Sequence, residues 1–250
     1  VPAKAISRPN CSVRDLESAL TAAADPERAR NLAWFFKTGK GEYGEGDRFL
    51  GIRVPIQRKI ALAHRGIPLA DIARLLASPI HEFRFSALEI LVAQCDSEPR
   101  QEIFDFYLQN TAGINNWDLV DTSAPYIVGE HLLTRERSIL DKLAASPNLW
   151  ERRIAIVSTL TLIKHGELAD TFRIAAKLLT DKHDLTHKAA GWALRESGRQ
   201  SRPALLEFLR AHYAALPRTS LRYAIEHFSA EQRKNLLAGN FERVNLEREP

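Results

Sequence analysis

Residues 113–132 read G-I-N-N-W-D-L-V-D-T-S-A-P-Y-I-V-G-E-H-L. Asn115 or Asn116 suits a helix N-cap, and Asp118 would sit in the first turn, where a negative charge complements the helix dipole. Trp117 and Asp121 are four apart and share one helix face. Pro125 has no N–H to offer the carbonyl of Asp121, so the helix should bend or loosen at the residue that carries the carboxylate. The stretch has relatives further along the chain. N-N-W-D-L-V-D (115–121) is echoed by P-N-L-W-E-R-R-I-A-I-V (147–157) and by K-A-A-G-W-A-L-R-E (188–196), with tryptophans at 117, 150 and 192. Helix pairs recurring every ~35–45 residues mark a HEAT-like array.

The remainder of the chain agrees. Ser12 caps V-R-D-L-E-S-A-L, with Asp15 in a capping-box position, and Pro26 opens a helix where proline is tolerated. Apolar residues at three- and four-residue spacing continue from Pro55, Pro68, His81, Pro99 and Arg135, and on through helical segments to Ala238. Short breaks rich in Gly, Pro, Ser or Asn separate them, and no alternating strand pattern appears. The expected fold is all-α, a superhelical solenoid of HEAT-like repeats. One domain over 1–250, with an ordered core at about 12–238, fits this pattern.

Composition narrows the partners. Thirty-five Lys+Arg against 31 Asp+Glu give a net charge of +4, which permits nucleic acid without requiring it. Cys11 and Cys95 have no metal or redox spacing, so a reducing cytoplasmic setting is expected. The first ten residues lack the apolar core of a signal peptide, and no run approaches membrane-spanning length. His183 and His187 share a face, but no cysteine or carboxylate cluster completes a metal site, and no cofactor is expected.

The only long loop, Lys37 to Val54, contains a literal G-x-G-x-x-G from Gly39 to Gly44. It lies between helices and not after a strand, which argues against a dinucleotide site. Lys37, Lys40, Arg48 and Arg53 would touch phosphates or simply face solvent; Tyr43 could stack on a nucleotide. Arg152 and Arg153 follow Trp150 on a helix that is apolar almost all round, so one of them should point into the groove of the solenoid. Lys188, Trp192 and Arg195 share a face, either a rim around a buried tryptophan or a surface for a DNA backbone. If the second helices line a concave side, Trp117, Trp150 and Trp192 fall along it. Arg152, Arg153, Lys188, Arg195 and Arg222 then make it basic. No wedge loop for intercalation stands out.

Four stretches carry a resemblance: F-L-G-I-R-V-P (49–55), N-W-D-L-V-D (116–121), L-W-E-R-R-I-A-I (149–156) and K-A-A-G-W-A-L-R-E (188–196). Together they make the chain, from about Ser12 to Phe228, resemble the AlkD-type DNA alkylation-repair glycosylases. Members often carry two tryptophans before the aspartate motif, where this chain has Asn116-Trp117, and the Gly-rich insertion before Phe49 is longer than in the shortest relatives. The resemblance implies an enzyme acting on double-stranded DNA, and the chain is expected to be a monomer. It would release cationic N3- and N7-alkylated purines without flipping the base into a pocket. It places an aromatic wall on Trp117, the catalytic carboxylate on Asp121, a phosphate-holding arginine that keeps the aspartate ionised on Arg153, and the second aromatic on Trp192. Arg152, Lys188, Arg195, Arg222, Lys37, Lys40 and Arg48 are candidate DNA contacts. Two other classes share such a fold: a non-catalytic HEAT-repeat nucleic-acid binder and a protein scaffold.

Overall fold

The computed structural model describes residues 12–95 and 100–244. Among these residues the chain is all-α, and only an isolated bridge between Arg48 and Ile80 breaks the helical pattern. It divides into two compact units, Val1–Ser123 and Ala124–Pro250.

The first unit contains α1 (Val13–Ala22), α2 (Pro26–Phe35), α3 (Val54–Ala63), α4 (Leu69–Leu76), α5 (His81–Gln94), α6 (Arg100–Gln109) and α7 (Trp117–Ala124, whose last residue belongs to the second unit). Its ends follow local chemistry. Ser12 forms a full capping box with Asp15, and Asp25 caps α2 by accepting the N–H groups of Glu27 and Arg28. Pro99, the expected start of α6, and Cys11 lie outside the described residues. Helix α5 packs on α3, α4 and α1 and is buried along most of its length, which is why it shows no polar face.

The second unit begins in a widened turn. A π-helical segment, Pro125–Gly129, leads into α8 (Glu130–Leu132), then α9 (Ser138–Ala144), α10 (Leu149–Lys164) and α11 (Ala169–Lys177). After these come α12 (Asp184–Gln200), α13 (Arg202–His212), α14 (Arg218–Ala224) and α15 (Ala230–Leu237). Helix α10 is the centre: it packs against α9, α11, α12 and the π segment, and Ile154 to Ile163 are all buried. Trp150 belongs to this core at 7% exposure, so it does not line a surface with Trp117 and Trp192 as the repeat spacing suggested. Its helix is enclosed on several sides, and a large apolar ring gains most by turning inward.

The expected loosening at Pro125 comes one turn past Asp121, the residue whose carbonyl its missing N–H would have served. Helix α7 stays regular through Ala124, and the widening starts at the proline itself. Helix α10 satisfies a carbonyl there: Thr161 Oγ1 donates to Pro125 O at 2.6 Å, while Ser158 Oγ donates to Ile154 O at 2.7 Å and only approaches Ala124 O at 3.4 Å. Gly129 closes the segment, and a Cβ there would lie 2.5 Å from Ser158 O and 2.7 Å from Thr161 Oγ1. No side chain fits. Gly129→Ala is therefore expected to destabilise the protein by roughly 1–3 kcal/mol. Urea unfolding monitored by far-UV circular dichroism would show this, and an unchanged midpoint would mean that the π segment moves away from α10 freely.

Candidate functional site

Helix α7 carries Trp117 and Asp121 on one face, both half-buried. Asn116 prepares the first turn, its buried side-chain oxygen accepting Trp117 N–H at 2.8 Å. Below the helix lies Tyr107, fully buried, whose hydroxyl meets Ser123 Oγ at 2.9 Å; Ser123 in turn donates to Leu119 O at 2.6 Å. Burial, only partly opposed by the bond to Ser123 and reinforced by the charge of Asp121, pushes the Tyr107 phenol far up, so it stays neutral. Beside Asp121, Thr122 Oγ1 donates to Glu89 at 2.7 Å, and Glu89 also pairs with the exposed Arg58 at 3.0 Å.

Trp117 is seated on aromatic rings from the segment between α2 and α5. It stacks on Phe36 at 5.3 Å and 19°, Phe36 stacks on Phe49 at 5.1 Å, and Phe49 stacks on His81 at 4.6 Å. His81 is the pin of this arrangement. Its Nε2 donates to Asp118 at 2.8 Å and its Nδ1 donates to Asp47 at 3.2 Å, with the ring almost fully buried. Arg84 Nη2 lies 2.7 Å from the other Asp47 oxygen, as a charge contact and not an aligned hydrogen bond, while its Nη1 donates to Ser78 O at 2.5 Å. Burial works against a charge on His81. The charge and hydrogen bond of Asp118 and the bond to Asp47 outweigh it and the repulsion from Arg84, raising the imidazole to about 9. Asp47 is also buried, yet His81 and Arg84 hold its carboxyl below the usual range. The aromatic faces of Phe36 and Phe49 against the imidazolium suit the same charge state.

None of these partners was legible in the sequence. Asp47, His81 and Asp118 lie 34 and 37 residues apart in sequence and match no motif. Asp118 does more than complement a dipole, because it holds the first turn of α7 to the start of α5.

The Gly-rich segment is not a loose connection. Arg48 N donates to Pro79 O at 2.9 Å and Arg48 O accepts from His81 N at 2.8 Å. Glu82 accepts the N–H groups of Leu50, Gly51 and Ile52 at 2.9, 2.8 and 3.3 Å. One buried carboxylate thus collects three backbone donors and ties the segment to α5. Its exposed cations are Lys37, Lys40, Arg48 and Arg53.

The remaining candidates lie in the second unit. Trp192 is half-buried on α12, on the face it shares with Lys188 and Arg195. Lys188 pairs with Asp184 at 2.8 Å, and Arg195 pairs with Glu196 at 3.0 Å and with Glu226. Neither Arg152 nor Arg153 is a free groove cation. Arg152 pairs with Asp181 at 2.6 Å and donates to Ser146 O and Pro147 O, both at 2.9 Å. Arg153 is 5% exposed and donates to Leu185 O at 2.7 Å. Both are drawn inward because backbone carbonyls and an acid lie within reach of a fork that carries five donors. Arg222 on α14 is exposed. His183 and His187 serve the chain itself, His183 Nδ1 capping α12 through Leu185 N and His187 Nε2 lying 2.6 Å from Asp181 O.

An all-α chain of paired helices is the architecture of a helical-repeat protein. The family model for DNA alkylation repair enzymes matches residues 16–228. The chain belongs to that family. Its fold is similar to a solved structure described as a predicted DNA alkylation repair enzyme from Enterococcus faecalis, at a TM-score of 0.68 and 18% identity, covering 83% of this chain and 97% of that one. No curated protein matches the chain significantly. Among the described residues no helix is long and apolar enough to cross a membrane.

The His81 pin makes a pH-dependent contribution with a definite sign. The imidazole is raised on folding, so its contribution is complete below the unfolded value of 6.5 and is lost as pH rises through about 9. The wild-type urea midpoint is therefore expected to fall between about pH 6.5 and 9.5. His81→Gln should be less stable at neutral pH and show no such fall. A flat wild-type profile over that window would mean that the ring is neutral in the folded protein.

Proposed function

We propose that the protein is a DNA glycosylase that hydrolyses the N-glycosidic bond of cationic N3- and N7-alkylated purines in double-stranded DNA. The observation that carries this reading is the pairing of Trp117 with Asp121 on a helix face whose first turn is pinned by a buried ion network. Such a network holds a side chain where chemistry needs it; a packing helix does not require one.

The chemistry suits the residues. An alkylated purine with a positive charge leaves as a neutral base, so no general acid is needed at the leaving group. The remaining work is to stabilise an oxocarbenium-like sugar and to orient a water, which a fixed carboxylate does electrostatically. Asp121 takes that role. Trp117 supplies an aromatic wall and cation–π contact to the cationic nucleotide. The family resemblance assigns Trp192 the second wall; the phosphate-holding role that it assigns Arg153 would require a guanidinium that is buried here and donates to Leu185 O. Tyr107, the acid nearest in chemistry to a proton donor below Asp121, is buried and directed to Ser123, so it is not placed to protonate a base.

The test is abasic-site formation in duplexes carrying N7-methylguanine, N3-methyladenine or uracil. The methylated purines should be released and uracil should not. Asp121→Asn should abolish release while duplex affinity stays within a few-fold of wild type. Efficient uracil release that depends on Asp121 would overturn the mechanism.

Binding to undamaged duplex should follow the surface cations. Arg222→Ala and Lys188→Ala are each expected to flatten the slope of log K against log salt by about 0.9 for every phosphate that the side chain neutralises. Unchanged slopes in both variants would place these residues off the DNA.

A further inference from the structure

Trp34 and Phe35 end α2 as the most exposed large apolar side chains among the described residues, at 75% and 54%. Phe35 meets Trp117 edge-on at 6.1 Å and Phe36 at 5.1 Å, so it continues the aromatic stack that seats Trp117 out to the surface, with Trp34 next to it in the chain. Beyond them comes Lys37, at φ +57° the one described non-glycine residue in the left-handed region. It occupies the position after the C-cap of α2, where glycine is the usual occupant because it carries no Cβ penalty. From that turn Lys37 Nζ lies 5.1 Å from the centre of the Trp34 ring. The chain thus keeps a strained lysine and a solvent-facing tryptophan together beside its reactive helix, although a glycine and a polar residue would serve the fold better.

We propose that Trp34, flanked by Phe35 and Lys37, is a stacking platform for an unstacked nucleobase, namely the base left without a partner opposite the lesion. This rests on the glycosylase reading for its context. Every base offers a π-face to an aromatic ring, and a lysine over the same ring supplies the charge for the adjacent phosphate. The orphaned base is the occupant because removal of the damaged purine takes away its pairing, which leaves it the base least costly to unstack. The sequence showed no wedge loop, and none is needed: the aromatic pair stands at a helix end.

The probe is a duplex holding a tetrahydrofuran abasic analogue with 5-iododeoxyuridine opposite, which photo-crosslinks to rings stacked on it. Bound to the full-length protein and irradiated, it should give a peptide adduct at Trp34 or Phe35. Iododeoxyuridine placed two steps away on either strand, or in a fully paired duplex, should give none there. Trp34→Ala should lose about 5- to 150-fold in affinity for the abasic duplex, the range for one base–aromatic stack, with little change for paired duplex. Lys37→Gly should raise the urea midpoint and weaken duplex binding together. Two results would overturn the proposal: crosslinks that avoid residues 34 and 35, or Trp34 already shielded from acrylamide in the free protein, which would mean that the chain itself covers the ring. The abasic duplex holds no base to release, so the outcome is separate from the glycosylase test. Crosslinking at Trp34 without base release would overturn only the catalytic reading, and release without crosslinking would overturn only the platform.

Discussion

The first unit depends on one buried cation. His81 stands at the first residue of α5, between Asp47 from the Gly-rich segment and Asp118 from the first turn of α7. Three segments far apart in sequence are held to one point by charge, and the geometry leaves little freedom. The two nitrogens of an imidazolium point in fixed directions, so the acids must come from opposite sides. Phe36 and Phe49 lie against the ring, and Phe36 carries Trp117. The position of Trp117 follows from the position of the cation. A buried pair of this kind is weak evidence for stability as such; what it does supply is a specific register between segments.

Helix α7 is held differently at its two ends. Its N-terminal turn is fixed by ionic and aromatic contacts, while its C-terminal end opens into the π segment at Pro125. Asp121 sits between them, one turn before the proline that cannot donate to its carbonyl. Helix α10 compensates the segment through Thr161, whose hydroxyl donates to Pro125 O, while Ser158 Oγ donates to Ile154 O of its own helix at 2.7 Å and lies 3.4 Å from Ala124 O. These small polar residues are buried in an otherwise apolar helix because leaving a carbonyl without a donor there costs roughly 1–3 kcal/mol.

Several of the arginines that the sequence pattern placed on a basic face are engaged within the chain. Arg152 and Arg195 are partnered by acids and Arg153 is anchored on a backbone carbonyl, while Lys37, Lys40, Arg48 and Arg222 remain exposed. Arginine pairs with carboxylates and carbonyls wherever its fork can reach them, and spacing along a helix says nothing of what another helix brings alongside. The cations that stay exposed are thus set by which acids and carbonyls the other helices bring alongside.

The helical class, most helix ends and the Trp117–Asp121 face were determined by sequence, because each rests on contacts within one or two turns. The Ser12 capping box, Pro26 at its first turn and the i, i+4 pairing of Trp117 with Asp121 need no distant partner. The same holds for a disruption caused by Pro125, although it begins one turn past Asp121 and takes the form of a π segment whose first carbonyl accepts from Thr161 of α10. Tertiary structure alone decided the rest. It sent Trp150 into the core although its motif matched those of Trp117 and Trp192, since an aromatic ring turns to whichever side is enclosed. It brought Asp47, His81 and Asp118 together and left Trp34 in solvent. Local spacing encodes which residues share a helix face, but the charge state and exposure of a side chain are set by neighbours from other segments, and those neighbours carry no signature at a distance along the chain.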